Sequence, residues 1–163
     1  MDLKQFCELF HPLPGNHYIQ ITDSIDETTE ALYELLQGVD GELSIALYEE
    51  QQSTLPQNLK DVKLQSIQKL SNPFRALPRD NDMVIFKNIF YKHANPELLL
   101  RIAYTTLANT ANIIIMQDKG TMDIQATKEL LEKFEFRAPN EIDVLDEYDL
   151  VMAKKMHMWG NGL

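Results

Sequence analysis

The 163-residue sequence predicts an α/β fold, a doubly wound and mostly parallel sheet that closes in an antiparallel hairpin. Three observations predict it. Short β-rich runs alternate with amphipathic helical runs along most of the chain. Two of those runs read as strands covered on both faces: Met83–Phe86 (MVIF), which is apolar without a break, and Asn112–Met116 (NIIIM), which is apolar after its leading asparagine. The last two β-rich runs flank Asp146-Glu147 with no room for a helix between them, which predicts a hairpin.

The elements follow in order. Leu3, Phe6, Cys7 and Phe10 share one helical face, and Pro12, Pro14 and Gly15 end that leading helix within residues 1–14. His17–Thr22 (HYIQIT) predicts the first strand. It runs into a helix that carries Ile25, Leu32, Leu35 and Leu36 on one face and stops at Gly38. Ser24 and Glu27 have the S-x-x-E spacing of a capping box at its start. Leu43–Tyr48 predicts a second strand, Pro56–Lys60 a short helix at most, and Val62–Ile67 an edge strand with partial alternation. After the central strand at 83–86, Asn95–Ala108 predicts an amphipathic helix with Leu98, Leu99, Ile102, Ala103 and Leu107. The strand at 112–116 and a helix over 122–134 follow, and Ile142–Leu145 and Tyr148–Ala153 form the arms of the hairpin. Five β-then-α repeats are expected.

Length and composition predict one domain over 1–163: 44% hydrophobic and 25% charged residues are ordinary globular proportions. No apolar run approaches the roughly 20 residues of a membrane span, and the N-terminus lacks the basic start and apolar core of a signal peptide, so a cytoplasmic protein is expected. Cys7 is the one cysteine, which excludes an internal disulfide and leaves a small buried hydrophobe. The charge is uneven. Residues 5–59 hold ten Asp/Glu and no Lys or Arg, whereas 60–163 hold fourteen of each sign, so the net −10 sits in the first third. Such a surface repels a phosphate backbone, and nucleic-acid binding is not expected.

Several chemistries lack their motifs. His11, His17, His93 and His157 stand apart without metal-ligand spacing, so no metal is predicted. There is no G-x-S-x-G elbow, no G-x-x-x-x-G-K-[ST] phosphate loop and no C-x-x-C. Asp23, Asp26 and Glu27 place negative charge where a pyrophosphate would dock on the first helix, which disfavours a dinucleotide.

The order of elements, the run RALPRDNDMVIFKNIFYKHANPELLLRIAYTTLANTANIIIMQD and the ending ATKELLEKFEF…DEYDLVMAKK resemble the class I S-adenosylmethionine-dependent methyltransferases over roughly residues 15–156. The resemblance implies a seven-stranded, Rossmann-like sheet. It also implies a glycine-rich cofactor turn after the first strand, where this sequence reads YIQITDSIDETTEAL. Gln20 stands in place of the family's acid, and Thr22, Ser24 and Asp26 in place of its three glycines. Glu49, 27 residues after Thr22, matches the acidic residue that holds the ribose hydroxyls, and Asn72 lies where a residue contacts adenine. SNPF at 71–74 resembles the N-P-P-F motif of amino-group methyltransferases. That motif belongs after the fourth strand, where Asn88 is the candidate to orient a substrate.

Two functions follow as expectations. Either S-adenosylmethionine binding is lost or weakened and the domain is a binding protein, as a homodimer or with another protein, or it is an active, divergent methyltransferase. The second would use Thr22, Ser24, Asp26, Glu49 and Asn72 for cofactor and Asn88 near the substrate. Met152, Met156, Met158 and Trp159 form either a docking patch for a partner or the packing of a tail folded back on the sheet.

Overall fold

A computed structural model describes residues 1–49, 55–59 and 61–156. Its centre is a seven-stranded sheet of β1 (His17–Thr22), β2 (Glu42–Tyr48), β3 (Lys63–Ile67), β4 (Asn81–Lys87), β5 (Leu107–Asp118), β6 (Phe136–Ile142) and β7 (Tyr148–Lys155). The spatial order is β3-β2-β1-β4-β5-β7-β6. The five strands β3, β2, β1, β4 and β5 run parallel to one another, and β7 runs antiparallel between β5 and β6. This is the α/β sheet with a closing antiparallel pair that the patterning predicts.

Alternation along the strands divides the interior into two cores, one on each face of the sheet. Ile19, Ile21, Val84, Phe86, Ile113 and Ile115 join Leu99, Leu100 and Ala103 of α3 (Pro96–Thr106) and Leu131 of α4 (Ile124–Lys133). On the other face Ile45, Met83, Ile85, Ile114 and Met116 join Phe6 of α1 (Lys4–Cys7) and Leu32 and Leu36 of α2 (Glu27–Gln37). Helix α3 begins where Asn95 accepts from the Leu98 N–H (3.1 Å) and Pro96 takes the first turn. It ends under Lys155, whose ammonium donates to the carbonyls of Tyr104 (2.6 Å) and Leu107 (2.8 Å) and lies 4.6 Å from the Tyr104 ring centre. A buried lysine thus satisfies carbonyls that a helix C-terminus leaves open.

The structure departs from the sequence reading in four places. The leading helix is a single turn, although Phe6 and Phe10 are buried as expected. Ser24 and Glu27 do not form the capping box: Asp26 caps α2, with Thr29 as its reciprocal partner. The five β-then-α repeats are not all present, because residues 57–59 make only a 3₁₀ turn and the described residues 68–80 contain no helix. The first hairpin arm is Phe136–Ile142 rather than 142–145, and residues 143–147 make the connection. Among the described residues no helix is long and apolar enough to cross a membrane. Met158 and Trp159 lie outside the described residues.

The helix-free crossover is pinned by Phe74, fully buried with its ring edge-on to Phe86 at 5.8 Å. Phe74→Ala should cost about 3–5 kcal/mol, because a loop with one aromatic anchor cannot collapse onto the cavity. Urea unfolding checks this, and a cost below about 1 kcal/mol would show that other contacts hold the crossover.

Candidate functional site

In an open parallel sheet, ligands bind outside the carboxyl ends of the strands where the strand order reverses. Here that point lies between β1 and β4, with Thr22 and Lys87 directly paired at its floor. The turn from Thr22 to Asp26 is the segment that would meet a ligand.

Side chains of the protein itself occupy that turn. Thr22 Oγ1 donates to the Ser24 carbonyl (2.8 Å) and accepts from the Ser24 N–H (3.2 Å). The Asp26 carboxylate accepts from the backbone N–H groups of Thr28 (2.9 Å) and Thr29 (3.4 Å), the first donors that a helix N-terminus offers an anion. It also accepts from the Thr28 hydroxyl and from the Tyr148 hydroxyl (2.8 Å) on β7. Gln20, fully buried on β1, accepts from the Thr29 hydroxyl (2.6 Å) and donates to Thr28 Oγ1 (3.4 Å). The position where the family carries an acid therefore anchors the helix start.

Lys87 completes the cluster. Its side chain is fully buried, and its ammonium donates to Asp26 Oδ2 (2.9 Å) and the Ser24 carbonyl (2.8 Å), with Ser24 Oγ at 3.5 Å. Three partners match the three N–H donors of an ammonium. Burial works to raise the Asp26 pKa, but the Lys87 charge and the hydrogen bonds from Thr28, Lys87 and Tyr148 outweigh it and hold the carboxyl below its usual range. Burial pulls the Lys87 pKa down, against the opposing pull of Asp26. Tyr148 is pushed up, chiefly by burial and then by its hydrogen bond to Asp26, so it remains a proton donor to the carboxylate.

A second ion pair crosses the mouth of the crevice. Asp23, just past β1, pairs with Lys92, just past β4. The remaining cavity measures about 210 Å³ and is lined by Asp23, Tyr48, Glu49, Ile67, Gln68, Leu70 and Lys92. Sites for small molecules and cofactors run to roughly 300–1,000 Å³. One wall is the loop after β3: the Asn72 carbonyl accepts from the Tyr48 hydroxyl (2.7 Å) and from His93 Nε2 (2.9 Å). His93 Nδ1 accepts from the Asn95 N–H (2.9 Å), which leaves the ring proton on Nε2. Burial pushes the Tyr48 pKa up to about 12, so this donor too is permanent at neutral pH.

The candidate residues read from the sequence are thus divided. Thr22, Ser24 and Asp26 meet in one cluster, and Glu49 lines the adjoining cavity. Asn72 lends its carbonyl to the wall, while the residue lines a separate open groove of about 550 Å³ with Gln65 and Arg75. Asn88 has a left-handed backbone (φ 59°), and its amide donates to Asp118 Oδ1 and accepts from the Asp118 N–H, both at 2.9 Å. Its polar atoms tie the end of β4 to β5.

Sequence reasoning passed over Lys87, Lys92 and Tyr148. One signal was available: a lysine ending the apolar run MVIFK on a doubly covered strand requires a buried partner. Among the described residues no group of three or more His, Cys, Asp or Glu could hold a metal ion.

The mostly parallel seven-stranded sheet with its closing antiparallel pair agrees with known structures. The fold is that of the class I S-adenosylmethionine-dependent methyltransferases. A SAM-dependent methyltransferase from Aquifex aeolicus superposes with a TM-score of 0.70 at 14% identity, over 95% of this chain and 90% of that one. Phosphoethanolamine N-methyltransferase 2 of Haemonchus contortus, in complex with S-adenosyl-L-methionine, gives 0.68 at 9% identity; this chain spans 52% of its length. The complex between the Haloferax volcanii Trm112 methyltransferase activator and a candidate methyltransferase gives 0.65 at 10% identity, with 88% of that chain covered. No protein-family model matches the sequence, and no curated protein matches it.

The Lys87–Asp26 pair makes two predictions that circular dichroism and urea unfolding can check together. Lys87→Met takes the cation from a partly buried carboxylate that keeps its hydrogen bonds from Thr28, Thr29 and Tyr148, and should cost about 3 kcal/mol. A carboxyl with a lowered folded pKa contributes stability that is present above its ordinary value and lost as pH falls through the lowered value. Without Lys87 the attraction and hydrogen bond that help to lower the Asp26 pKa are gone and that pKa rises from its lowered position, so acid unfolding should begin at higher pH in Lys87→Met than in the parent. Coincident acid transitions would show that the pair contributes nothing.

Proposed function

We propose that this chain is a methyltransferase-fold protein in which S-adenosylmethionine binding is lost or greatly weakened, and that it acts in the cytoplasm as a protein-binding module. One observation carries the reading: the donors and space a cofactor would need at the β1–β4 crevice are taken by the chain's own side chains. Asp26 holds the first N–H groups of α2, Lys87 holds the Ser24 carbonyl, and Asp23 and Lys92 bridge the mouth. The residues present do not fit the cofactor. A ligand entering the crevice would have to break the Asp23–Lys92 pair and enlarge a 210 Å³ cavity. The Haloferax volcanii complex supports the binding role by analogy, since there a candidate methyltransferase is in complex with the Trm112 methyltransferase activator.

A second reading has one observation in its favour. Glu49 stands in the cavity at the carboxyl end of β2, where an acid could accept from ribose hydroxyls. On that reading the chain is a divergent methyltransferase in which the Thr22–Asp26 turn, Glu49 and Asn72 hold the cofactor and Asn88 faces the substrate.

Calorimetric titration with S-adenosylmethionine and S-adenosylhomocysteine separates the two. The closed crevice predicts no saturable heat at millimolar ligand. Micromolar binding that Glu49→Ala abolishes would establish the divergent enzyme instead.

A further inference from the structure

Two apolar depressions of opposite charge lie away from the crevice. The first is an open groove of about 660 Å³ between α1 and α2. Its floor is formed by Leu3, Cys7, Ala31 and Leu35, and its α2 rim by Glu27, Glu30 and Glu34, with Lys4 on the α1 side. The three glutamates recur at i, i+3 and i+7, so they form one stripe along the helix. They belong to the stretch 5–59, which holds ten acids and no Lys or Arg. Glu27 pairs with the N-terminal ammonium (3.7 Å), and the like charges of Glu30 and Glu34 beside apolar side chains call for a cationic, partly apolar partner.

The second depression, about 330 Å³, lies at the opposite end of the sheet, across β5, β7 and β6. Ile142 and Met152 are half-buried there, Met156 is 39% exposed, and Lys154 is exposed. Arg137, which pairs with Glu135, borders the same depression. Methionine side chains adapt to an opposing surface at low cost, which suits an interface.

We infer that the cationic Met152–Lys154–Met156 face of one copy docks on the glutamate-rimmed α1–α2 groove of a second copy. The chain supplies both halves of a complementary pair, apolar floor to apolar face and glutamate stripe to lysine. A two-fold arrangement makes the contact twice and closes the assembly as a dimer. The inference rests on the binding role proposed above and gives that role a partner. Its readout is mass, so its failure would leave the cofactor reading to stand or fall on the titration.

Sedimentation velocity on the full chain tests it, with circular dichroism to verify that each variant is folded. The wild type should sediment as a dimer at low salt and dissociate as salt rises, since a contact between exposed charges is screened. Lys154→Glu alone, and Glu30→Lys with Glu34→Lys, should each weaken the dimer about tenfold or more. The chain carrying all three substitutions reverses both sides and should recover the dimer, a result that a merely destabilised fold cannot give. A wild type that stays monomeric at ~0.5 mM in low salt overturns the inference. So does a dimer indifferent to both sets, or a triple variant that fails to recover.

Discussion

A charge at the end of the central strand governs the local architecture. Lys87 sits beside β1 in the middle of the sheet, where an unpaired ammonium would cost several kcal/mol. Its partners come from across the molecule: Ser24 and Asp26 from the turn after β1, with Tyr148 of β7 bound to the same carboxylate. The pair therefore fixes the shape of the turn, the start of α2 and the seating of the closing strand together. It also consumes the groups that make a helix N-terminus attractive to a ligand. In this protein the turn at the β1–β4 switch point is a structural joint.

That joint was only partly legible in the sequence. Thr22, Ser24 and Asp26, where the resemblance implies glycines, stand in a turn whose Asp26 caps its own helix. The cap was placed on Ser24 because S-x-x-E spacing is a local pattern. In the structure the Ser24 carbonyl is held by Lys87, 63 residues away, and Asp26 takes the cap. No window of neighbouring residues contains that contact. Asn88 was legible as a polar residue at a strand end, but its amide is committed to Asp118, thirty residues on.

The strands were read more securely than the connections. His17–Thr22 matches β1 residue for residue, and MVIF and NIIIM lie inside longer strands, because a doubly covered strand leaves a near-continuous apolar run. β6 was misplaced because it contains Pro139. Proline is tolerated there because β6 is an edge strand whose register shifts between Arg137 and Asn140, and Ala138 has a left-handed backbone at the shift. The crossover 68–80 holds its place without a helix: Phe74 is buried in the core, Ala76 packs against it, and the Asn72 and Leu77 carbonyls accept from Tyr48, His93 and Thr106.

Closure of the Thr22–Asp26 turn by its own side chains is the contact on which the reading of the crevice depends. It is tested most directly by backbone amide NMR of the turn and the first residues of α2 during addition of S-adenosylhomocysteine. The account predicts that the amides of Asp23 to Thr29 keep their positions at millimolar ligand, with those of Thr28 and Thr29 protected from solvent exchange by Asp26. Saturable shifts at these residues together with Glu49 would contradict it and return the crevice to the cofactor.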